Sequence, residues 1–275
     1  MEKTKVLFVT QSIDPFMEGH SFAALVRKLS QGTQESDREI RVFMPRFGVI
    51  NERRHQLHEV IRLSGMNLII NDSDHPLIIK VASIPQARMQ VYFIDNDEFF
   101  KRKNVFHDKA GKFHEDNAER AMFFSRGVLE TVKKLGWTPD VVHCHGWMTG
   151  FTPMYLRKMY ADDPHFADVK IIYSSYSTDI DEKIAGDVLG KLSFDNITEK
   201  DAIEMKEPSV SNLNKLACRY SDGLAYGSDT LNPDLSSYID KSDKPKLAHQ
   251  SEESLIEAHQ EFYNNVLELE VVLAD

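Results

Sequence analysis

The sequence has few of the features that mark secreted or membrane proteins. Its 275 residues include two cysteines, Cys144 and Cys218, which indicates reduced core thiols rather than a disulfide framework. No apolar run approaches the roughly 20 residues that a helix needs to cross a bilayer. Residues 1–5 lead into a short strand and do not resemble a signal peptide. We therefore expect a cytoplasmic protein without membrane contact.

The chain also has fewer basic than acidic residues. The chain carries 43 acidic and 33 basic residues, a net charge of -10, which opposes binding to a polyanion and argues against a nucleic-acid partner. No internal repeat or low-complexity segment is present. With 41% hydrophobic and 28% charged residues, the composition is typical of a globular protein with a proper core, in one large or two small domains.

Glycine is scarce in the first strand-to-helix connection, where a dinucleotide fingerprint requires it. Residues 5–10 (KVLFVT) predict a strand, and the apolar spacing predicts a helix from Ser21, a plausible N-cap, to Ser30. The connection at 11–20 contains Gly19 alone, which argues against a dinucleotide site. Residues 38–45 predict a second strand, so the chain opens with a parallel βαβ unit.

A short apolar run near the middle of the chain organises the rest. Residues 140–147 (DVVHCHGW) end in polar side chains and lead into a helical pattern from Trp147 to Tyr160. This pattern is typical of a buried parallel strand that delivers side chains to the carboxyl edge of an open α/β sheet, where ligands bind. We expect the binding crevice at that edge.

The remaining segments alternate between strand and helix patterns. We predict a hairpin-rich insertion between residues 57 and 94, with β segments at 57–63, 66–70, 77–83 and 89–94 and a turn at 71–74. A polar loop at 95–115 is interpreted as solvated, with a substrate-facing role as the alternative. Further elements are predicted at 116–135 (helix, capped by Asp116), 169–174 (strand), 210–219 (helix), 223–226 (strand) and 229–239 (helix). We assign no structure to 177–208. After a linker at 240–250, the tail from Ser251 predicts an amphipathic helix docked on the domain.

The alternating pattern defines the fold class. Five or more strands alternate with helices, which predicts an α/β protein with a single Rossmann-like open parallel sheet, helices on both faces and a β-hairpin-rich insertion.

Two histidines alternate along the central strand, so both rings can face the same side of the sheet. A metal pair at His143 and His145 is conceivable, but no spacing elsewhere supplies a third ligand, which favours packed, hydrogen-bonded histidines. Cys144 points the opposite way, and this disfavours a Cys–His nucleophile pair. We assign no catalytic residue, no metal and no cofactor.

Several segments, taken in order, resemble the amino-terminal catalytic domain of bacterial glycogen synthases and plant starch synthases. These enzymes form glycosyltransferase family 5 and have the two-domain GT-B architecture. The matching segments are 5–10 with Pro15, 42–48 (VFMPRFG), 91–95 (VYFID), 116–121 (DNAERA), 139–147 (PDVVHCHGW) and 217–223 (ACRYSDG). Together they cover about residues 5–240.

The resemblance implies a function and a division of the chain. Enzymes of this family transfer glucose from ADP-glucose to the non-reducing end of an α-1,4-glucan, with retention, in a site between two Rossmann-like domains. We expect residues 1–240 to form the first of these domains. Residues 241–275 would form a linker and an amphipathic helix packed on that domain, with no room for a second one.

The chain departs from the family pattern at three positions. The family has Lys-x-Gly-Gly after the first strand, where this chain has Glu18, Gly19, His20 and Ser21. The family has His-Asp-Trp after the central strand, and a histidine on the next strand that aligns best with Ser175. Because Glu18 would bring negative charge toward an anionic diphosphate, we expect weak binding of nucleotide sugars. Substrate-binding candidates by position are Glu18, Gly19, His20, Asp116, Asn117, Arg120, His145, Gly146, Trp147 and Ser175.

Some of these candidates have simpler interpretations. Asp116, Asn117 and Arg120 either cap the long helix and form a surface pair, or border the crevice as a similar family motif does. Residues 51–54 (NERR) are interpreted as a solvated turn, and Asp179, Asp181 and Glu182 as loop charge.

Three functional hypotheses follow. The first is a glycogen/starch synthase-like domain of α-glucan metabolism without autonomous ADP-glucose transferase activity. It would bind α-glucan or ADP-glucose, or assist a second chain of glycogen metabolism. The alternative is half of a split ADP-glucose-dependent glycosyltransferase, completed by a separate nucleotide-binding chain. The third is an unrelated enzyme that uses Glu18, His20 and His145 as acid–base groups.

Overall fold

The computed structural model describes residues 3–19, 21–177 and 182–269. Within these ranges lie ten strands: β1 (Lys5–Thr10), β2 (Glu39–Pro45), β3 (His58–Glu59), β4 (Met66–Ile70), β5 (Ser73–Ile84), β6 (Met89–Asp95), β7 (Val141–His145), β8 (Lys170–Ser175), β9 (Gly223–Tyr226) and β10 (Lys246–Leu247). The helices are α1 (Ser21–Glu35), α2 (Asp97–Phe100), α3 (Asn117–Leu135), α4 (Thr152–Lys158), α5 (Val188–Ser193), α6 (Val210–Tyr220), α7 (Pro233–Asp240) and α8 (Leu255–Glu268).

The strands form one mixed sheet in the order β10-β9-β8-β7-β1-β2-β6-β5-β3, with β4 paired to β5. All neighbours from β10 to β6 are parallel. The strands of the insertion, β3, β4 and β5, pair antiparallel. The predicted α/β fold, a Rossmann-like sheet with a hairpin-rich insertion, is therefore confirmed.

Helices cover both faces of the sheet. One face packs against α1 and α8: a Cβ atom on Gly223 would lie 2.9 Å from side chains of Phe262 and Val266. The other face packs against α3, α4 and α6, and there the Tyr173 hydroxyl group donates to Asn214 of α6. Because side chains alternate along a strand, neighbouring residues of one strand face different helices.

The insertion is built on a two-residue hairpin. Ile70 pairs with Ser73, and the two residues between them, Asn71 and Asp72, have φ of 49° and 61°. Positive φ at both central positions is the type I′ geometry that suits the right-handed twist of the strands, and asparagine and aspartate adopt it readily. The turn predicted at 71–74 is therefore shorter, because β5 begins at Ser73.

The structure corrects the predicted bounds of several elements. The helix after the central strand begins at Thr152, with Pro153 in its first turn, and only a short 3-10 turn (Trp147–Thr149) precedes it. The segment predicted at 57–63 contains only the two residues of β3. The helix predicted from residue 229 begins at Pro233, where the Asn232 side chain caps the amide of Asp234. The linker predicted at 240–250 contributes strand β10 at the sheet edge.

The predicted loop at 95–115 and the region at 177–208, for which the sequence assigns no structure, both contain short helices. The loop at 95–115 begins with α2, capped by Asn96, and it buries Phe99, Phe100 and Phe113. The region at 177–208 contains α5 and a 3-10 turn (Ile203–Lys206). Asp179 and Asp181 lie outside the described residues.

The tail contains helix α8 (Leu255–Glu268). It buries Leu255, His259, Phe262, Tyr263 and Val266 against α1 and the sheet. Of the helices in the described ranges, none has the length and apolar character needed to span a bilayer.

Candidate functional site

The parallel strands β1, β2, β7, β8 and β9 end at the same edge of the sheet. The ends of these strands and the loops that follow them carry six of the ten candidates: Glu18, Gly19, His145, Gly146, Trp147 and Ser175. In open α/β sheets this edge is where ligands bind.

At the centre of the edge, His145 is fully buried. Its Nδ1 atom lies 2.7 Å from the hydroxyl group of Tyr176, and its ring stacks on Phe8 with centroids 5.8 Å apart. The ring of His143 lies on the same side, 3.9 Å from that of His145. On β7, His143 and His145 are therefore packed against each other and hydrogen-bonded. Among the described residues no group of three or more His, Cys, Asp or Glu side chains is arranged to hold a metal ion.

Gly146 occupies the position where the family resemblance implies an aspartate. Its backbone has φ of 80° and ψ of 162°, a region that glycine adopts but residues with a Cβ atom rarely do. A Cβ atom here would lie 2.6 Å from the side chain of Gln11, whose Oε1 atom accepts a hydrogen bond from the Met148 amide. The space for a side chain at residue 146 is therefore filled by Gln11.

Trp147 is 4% exposed and anchors the loop at 95–115. Its ring packs against Phe106 and Phe113, with centroid distances of 5.0 and 5.4 Å. Asn117 donates to the carbonyl group of Phe106 at 3.0 Å and holds the same loop. The loop is not simply solvated, as its polar composition suggested, because its aromatic residues fold down over the edge of the sheet.

Ser175 is also fully buried, but on the face of the sheet opposite to His145. Its hydroxyl group lies beside the Cys218 thiol of α6, and burial raises the pKa of that thiol to about 12. The preceding residue, Ser174, faces the histidines and contacts Nε2 of His143 at 2.7 Å. The alternation of side chains along β8 therefore directs Ser175 away from the crevice.

The start of α3 is organised differently from the predicted cap and surface pair. The Asp116 side chain makes no capping hydrogen bond and instead forms a two-pronged ion pair with Arg102. Arg120 is fully buried. It donates to the Phe99 carbonyl group at 2.8 Å, and its guanidinium group lies over the rings of Phe47 and Phe100. Burial lowers the pKa of Arg120 to about 10. Arg120 thus ties α3 to α2 inside the core.

Glu18 and Gly19 lie at the open end of the edge. Glu18 accepts a hydrogen bond from Arg54 at 2.9 Å, and both side chains are more than half exposed. Gly19 has φ of 94° with open space around it. His20 lies outside the described residues. An exposed ion pair of this kind adds little stability, so it remains available to a ligand.

Next to this pair is a cleft of about 370 Å³. It is lined by Pro15, Phe16, Met17, Glu18, Val49, Asn51, Arg54, His55 and Val105. Partial burial and the neighbouring Arg54 lower the pKa of His55, which favours its neutral form. Asn51, Arg54 and His55 were not among the sequence candidates, because a polar stretch such as 51–54 is typical of a solvated turn.

Buried charges hold the loop that carries these cleft residues. Glu52 forms ion pairs with Lys80 at 2.7 Å and with Arg46 at 3.3 Å. Both cations also contact Asp95, which is almost completely buried, at 3.0 and 2.9 Å. Burial acts to lower the pKa of Lys80, but its bonds to Glu52 and Asp95 outweigh this and raise it. The loop is therefore fixed by charges on β5 and at the ends of β2 and β6.

A second, smaller cavity of about 250 Å³ lies where β8 and β9 end. Its lining consists of Phe22, Leu25, Tyr176, Gly227, Ser228, Asp229 and His249. The Tyr176 ring lies against Gly227, where a Cβ atom would come within 2.3 Å of it.

Comparisons with known proteins agree with this architecture. Residues 5–240 match the model of a family described as the starch synthase catalytic domain. The chain belongs to this family.

Two similar relatives are glycogen synthases of Chlorobium species. Glycogen synthase from Chlorobium limicola is 37% identical over 174 residues, which cover 63% of this chain and 36% of that protein. Glycogen synthase from Chlorobium phaeovibrioides is 33% identical over 194 residues, covering 70% and 40% of the two chains. The chain thus matches between about a third and two fifths of the length of these relatives.

Among solved structures, the fold is similar to the catalytic domain of starch synthase IV from Arabidopsis thaliana bound to ADP and acarbose. The TM-score is 0.70 at 17% identity, and the match covers 92% of this chain and 53% of that one. At this level of identity the likeness establishes the fold.

Proposed function

We propose that this starch synthase-type domain binds α-glucan and does not itself transfer glucose from ADP-glucose. One observation carries the proposal: the chain's own side chains fill the positions that the family resemblance assigns to sugar contact. His145, Trp147 and Ser175 are at most 4% exposed, and Gln11 occupies the space beside Gly146. Tyr176, only 3% exposed, covers His145.

The open cleft beside Glu18 has the character of a carbohydrate site. Phe16, Val49 and Val105 offer apolar walls for the C–H faces of a sugar. Asn51 and Arg54 offer polar groups for its hydroxyl groups. The Glu18–Arg54 pair has no net charge, which suits a neutral glucan better than a diphosphate. The solved starch synthase of the same fold was bound to ADP and acarbose, and this supports a sugar as the ligand class.

Isothermal titration with maltoheptaose tests the binding part of the proposal. Arg54→Ala removes a charged hydrogen-bond donor worth about 1–2 kcal/mol, so we expect an affinity about 5- to 30-fold weaker. Arg53→Ala is the matched control, since Arg53 is exposed, carries the same charge and does not line the cleft. No heat of binding with maltoheptaose, or equal effects of the two variants, would refute glucan binding in this cleft.

A radiolabel assay tests the second part. The purified chain is incubated with ADP-[¹⁴C]glucose and glycogen, and we expect no incorporation above a protein-free blank. Incorporation that grows with time and with protein concentration would overturn the proposal.

The split-enzyme alternative has one observation in its favour. Helix α8 returns from the end of β10 to pack on this domain, and full-length GT-B proteins end in a helix of that kind. This alternative predicts transfer when the chain is mixed with a separate nucleotide-binding half. Continued absence of transfer in the mixture would count against it.

A further inference from the structure

Three histidines are buried together beneath α8. His143 and His145 are fully buried, and His259 of α8 is 5% exposed. The ring of His143 lies 3.9 Å from that of His145 and 5.9 Å from that of His259, which it faces in a stacked arrangement. The cluster therefore joins the central strand β7 to the last helix.

Hydroxyl and carbonyl groups are the hydrogen-bond partners of these rings. His143 contacts the Tyr263 hydroxyl group at 2.9 Å and that of Ser174 at 2.7 Å, and His259 donates to the Leu255 carbonyl group. No described residue forms a hydrogen bond with Nε2 of His145. A proton added there would place an unpaired N–H and a charge in the core, which is costly.

One charged group, Arg38, lies near the cluster, and it contacts α8 rather than the histidine rings. The guanidinium group of Arg38, between α1 and β2, lies over the Tyr263 ring at 5.5 Å and bonds to Gln260 and Asn264 of α8. From β1 the cluster meets the apolar Phe8, and from the end of β8 it meets Tyr176. In the described part of the chain no carboxylate forms an ion pair or hydrogen bond with the three rings.

We propose that α8 is a proton-sensitive clasp, docked on the sheet only while His143, His145 and His259 are neutral. Tyr263 and His259 leave the cluster when α8 undocks, and water then reaches His143. The same movement reaches the carboxyl edge, because His145 holds Tyr176 and Tyr176 forms a wall of the smaller cavity. Acid would therefore loosen both the clasp and that wall.

The direction of the pH effect follows from burial. Desolvation lowers the pKa of all three histidines, to about 4 for His259, and repulsion between the rings lowers it further for His143 and His145. In the undocked state His259 and His143, which then meet water, would return to a pKa of about 6.5. Docking is thus at full strength above pH of about 6.5 and weakens below it, by about tenfold per pH unit for each histidine exposed.

Amide hydrogen exchange at pH 7.5 and 5.5, corrected for intrinsic exchange rates, tests the clasp. We expect protection of residues 259–268 to fall at least tenfold at pH 5.5, while residues 5–10 of β1 change less than twofold. Glutamine cannot take up the proton, so in the His259→Gln variant the fall in protection of these residues should be about tenfold smaller. His58→Gln, an exposed histidine on β3, is the matched control and should behave as the unmodified chain does.

Three results would overturn the proposal. These are no change in α8 protection, parallel loss in α8 and β1, or the same fall in His259→Gln as in the unmodified chain. If His259→Gln lacks protection already at pH 7.5, His259→Phe provides a ring of similar size that cannot be protonated, and the same criteria apply. None of these readouts depends on glucan binding.

Discussion

The side chain of Gln11 lies directly against Gly146, so close that a Cβ atom on Gly146 would be 2.6 Å away. Gln11 follows β1 and Gly146 follows β7, two neighbouring parallel strands. The contact therefore closes the centre of the carboxyl edge.

We predict that Gly146→Ala lowers the free energy of unfolding by about 2–4 kcal/mol, because it combines backbone strain with a clash. Gly111→Ala is the control: Gly111 has φ of 81° but open space around it, so only the cost of strain, about 1 kcal/mol, should remain. Urea denaturation measures both. Equal losses in the two variants would show that Gln11 does not fill the space. Adding Gln11→Ala to Gly146→Ala should recover part of the loss.

Deleting residues 251–275 removes α8 and exposes the sheet face beneath it. Burial of Phe262, Tyr263 and Val266 contributes about 1.5–3 kcal/mol each, so we expect aggregation of the truncated chain. Light scattering and size-exclusion chromatography measure this. Deleting only residues 270–275 keeps α8 and should leave the chain monodisperse. A soluble long truncation with unchanged stability would contradict the predicted role of the helix.

Lys80→Met should loosen the loop that carries the cleft residues. Lys80 is largely buried between Glu52 and Asp95, and its removal leaves Arg46 as their remaining cation at this site. We expect a loss of about 2 kcal/mol in unfolding free energy, together with weaker glucan binding. Lys101→Met, which breaks an exposed pair with Asp97, should cost less than about 0.5 kcal/mol. Similar losses in both variants would mean that the buried network does not stabilise the loop.

Lys244 binds three carbonyl groups at the C-terminal end of α6, where the last carbonyl groups of a helix have few partners within the helix. Its Nζ atom donates to the carbonyl groups of Cys218, Arg219 and Ser221 at 2.6–2.9 Å, and burial lowers its pKa. We expect Lys244→Met to cost about 1.5–3 kcal/mol in thermal or urea unfolding. Lys241→Met, three residues earlier and exposed, is the control. A loss no greater than that of the control would show that the three bonds add nothing.

The fold was predictable because its signals are local. The alternation of strand and helix patterns identifies the parallel sheet, and the strand at 223–226 matches its predicted bounds. The predicted start of one helix was wrong because a single proline decides it. Helix α4 begins next to Pro153 and not at Trp147.

The site was harder to predict because it depends on contacts distant in sequence. Nothing local shows that Arg54 pairs with Glu18, 36 residues earlier, or that Arg102 and not Arg120 pairs with Asp116. Ser174 and Ser175 are neighbours on β8, so their side chains point to opposite faces of the sheet. Only the pairing of β8 with β7 decides which of the two serines meets the histidines. The family resemblance locates the edge of the sheet but not the side chains that fill it.

The position of β1 within the sheet has a consequence for how the chain folds as it is synthesised. β1 pairs on one side with β2, which follows within 45 residues, but on the other side with β7, which ends at His145. A nascent chain that has emerged only through β6 therefore presents an unprotected hydrogen-bonding edge of four apolar residues at 6–9. The chain as far as His145 must leave the ribosome before that edge is covered, and until then the edge can mispair with other chains.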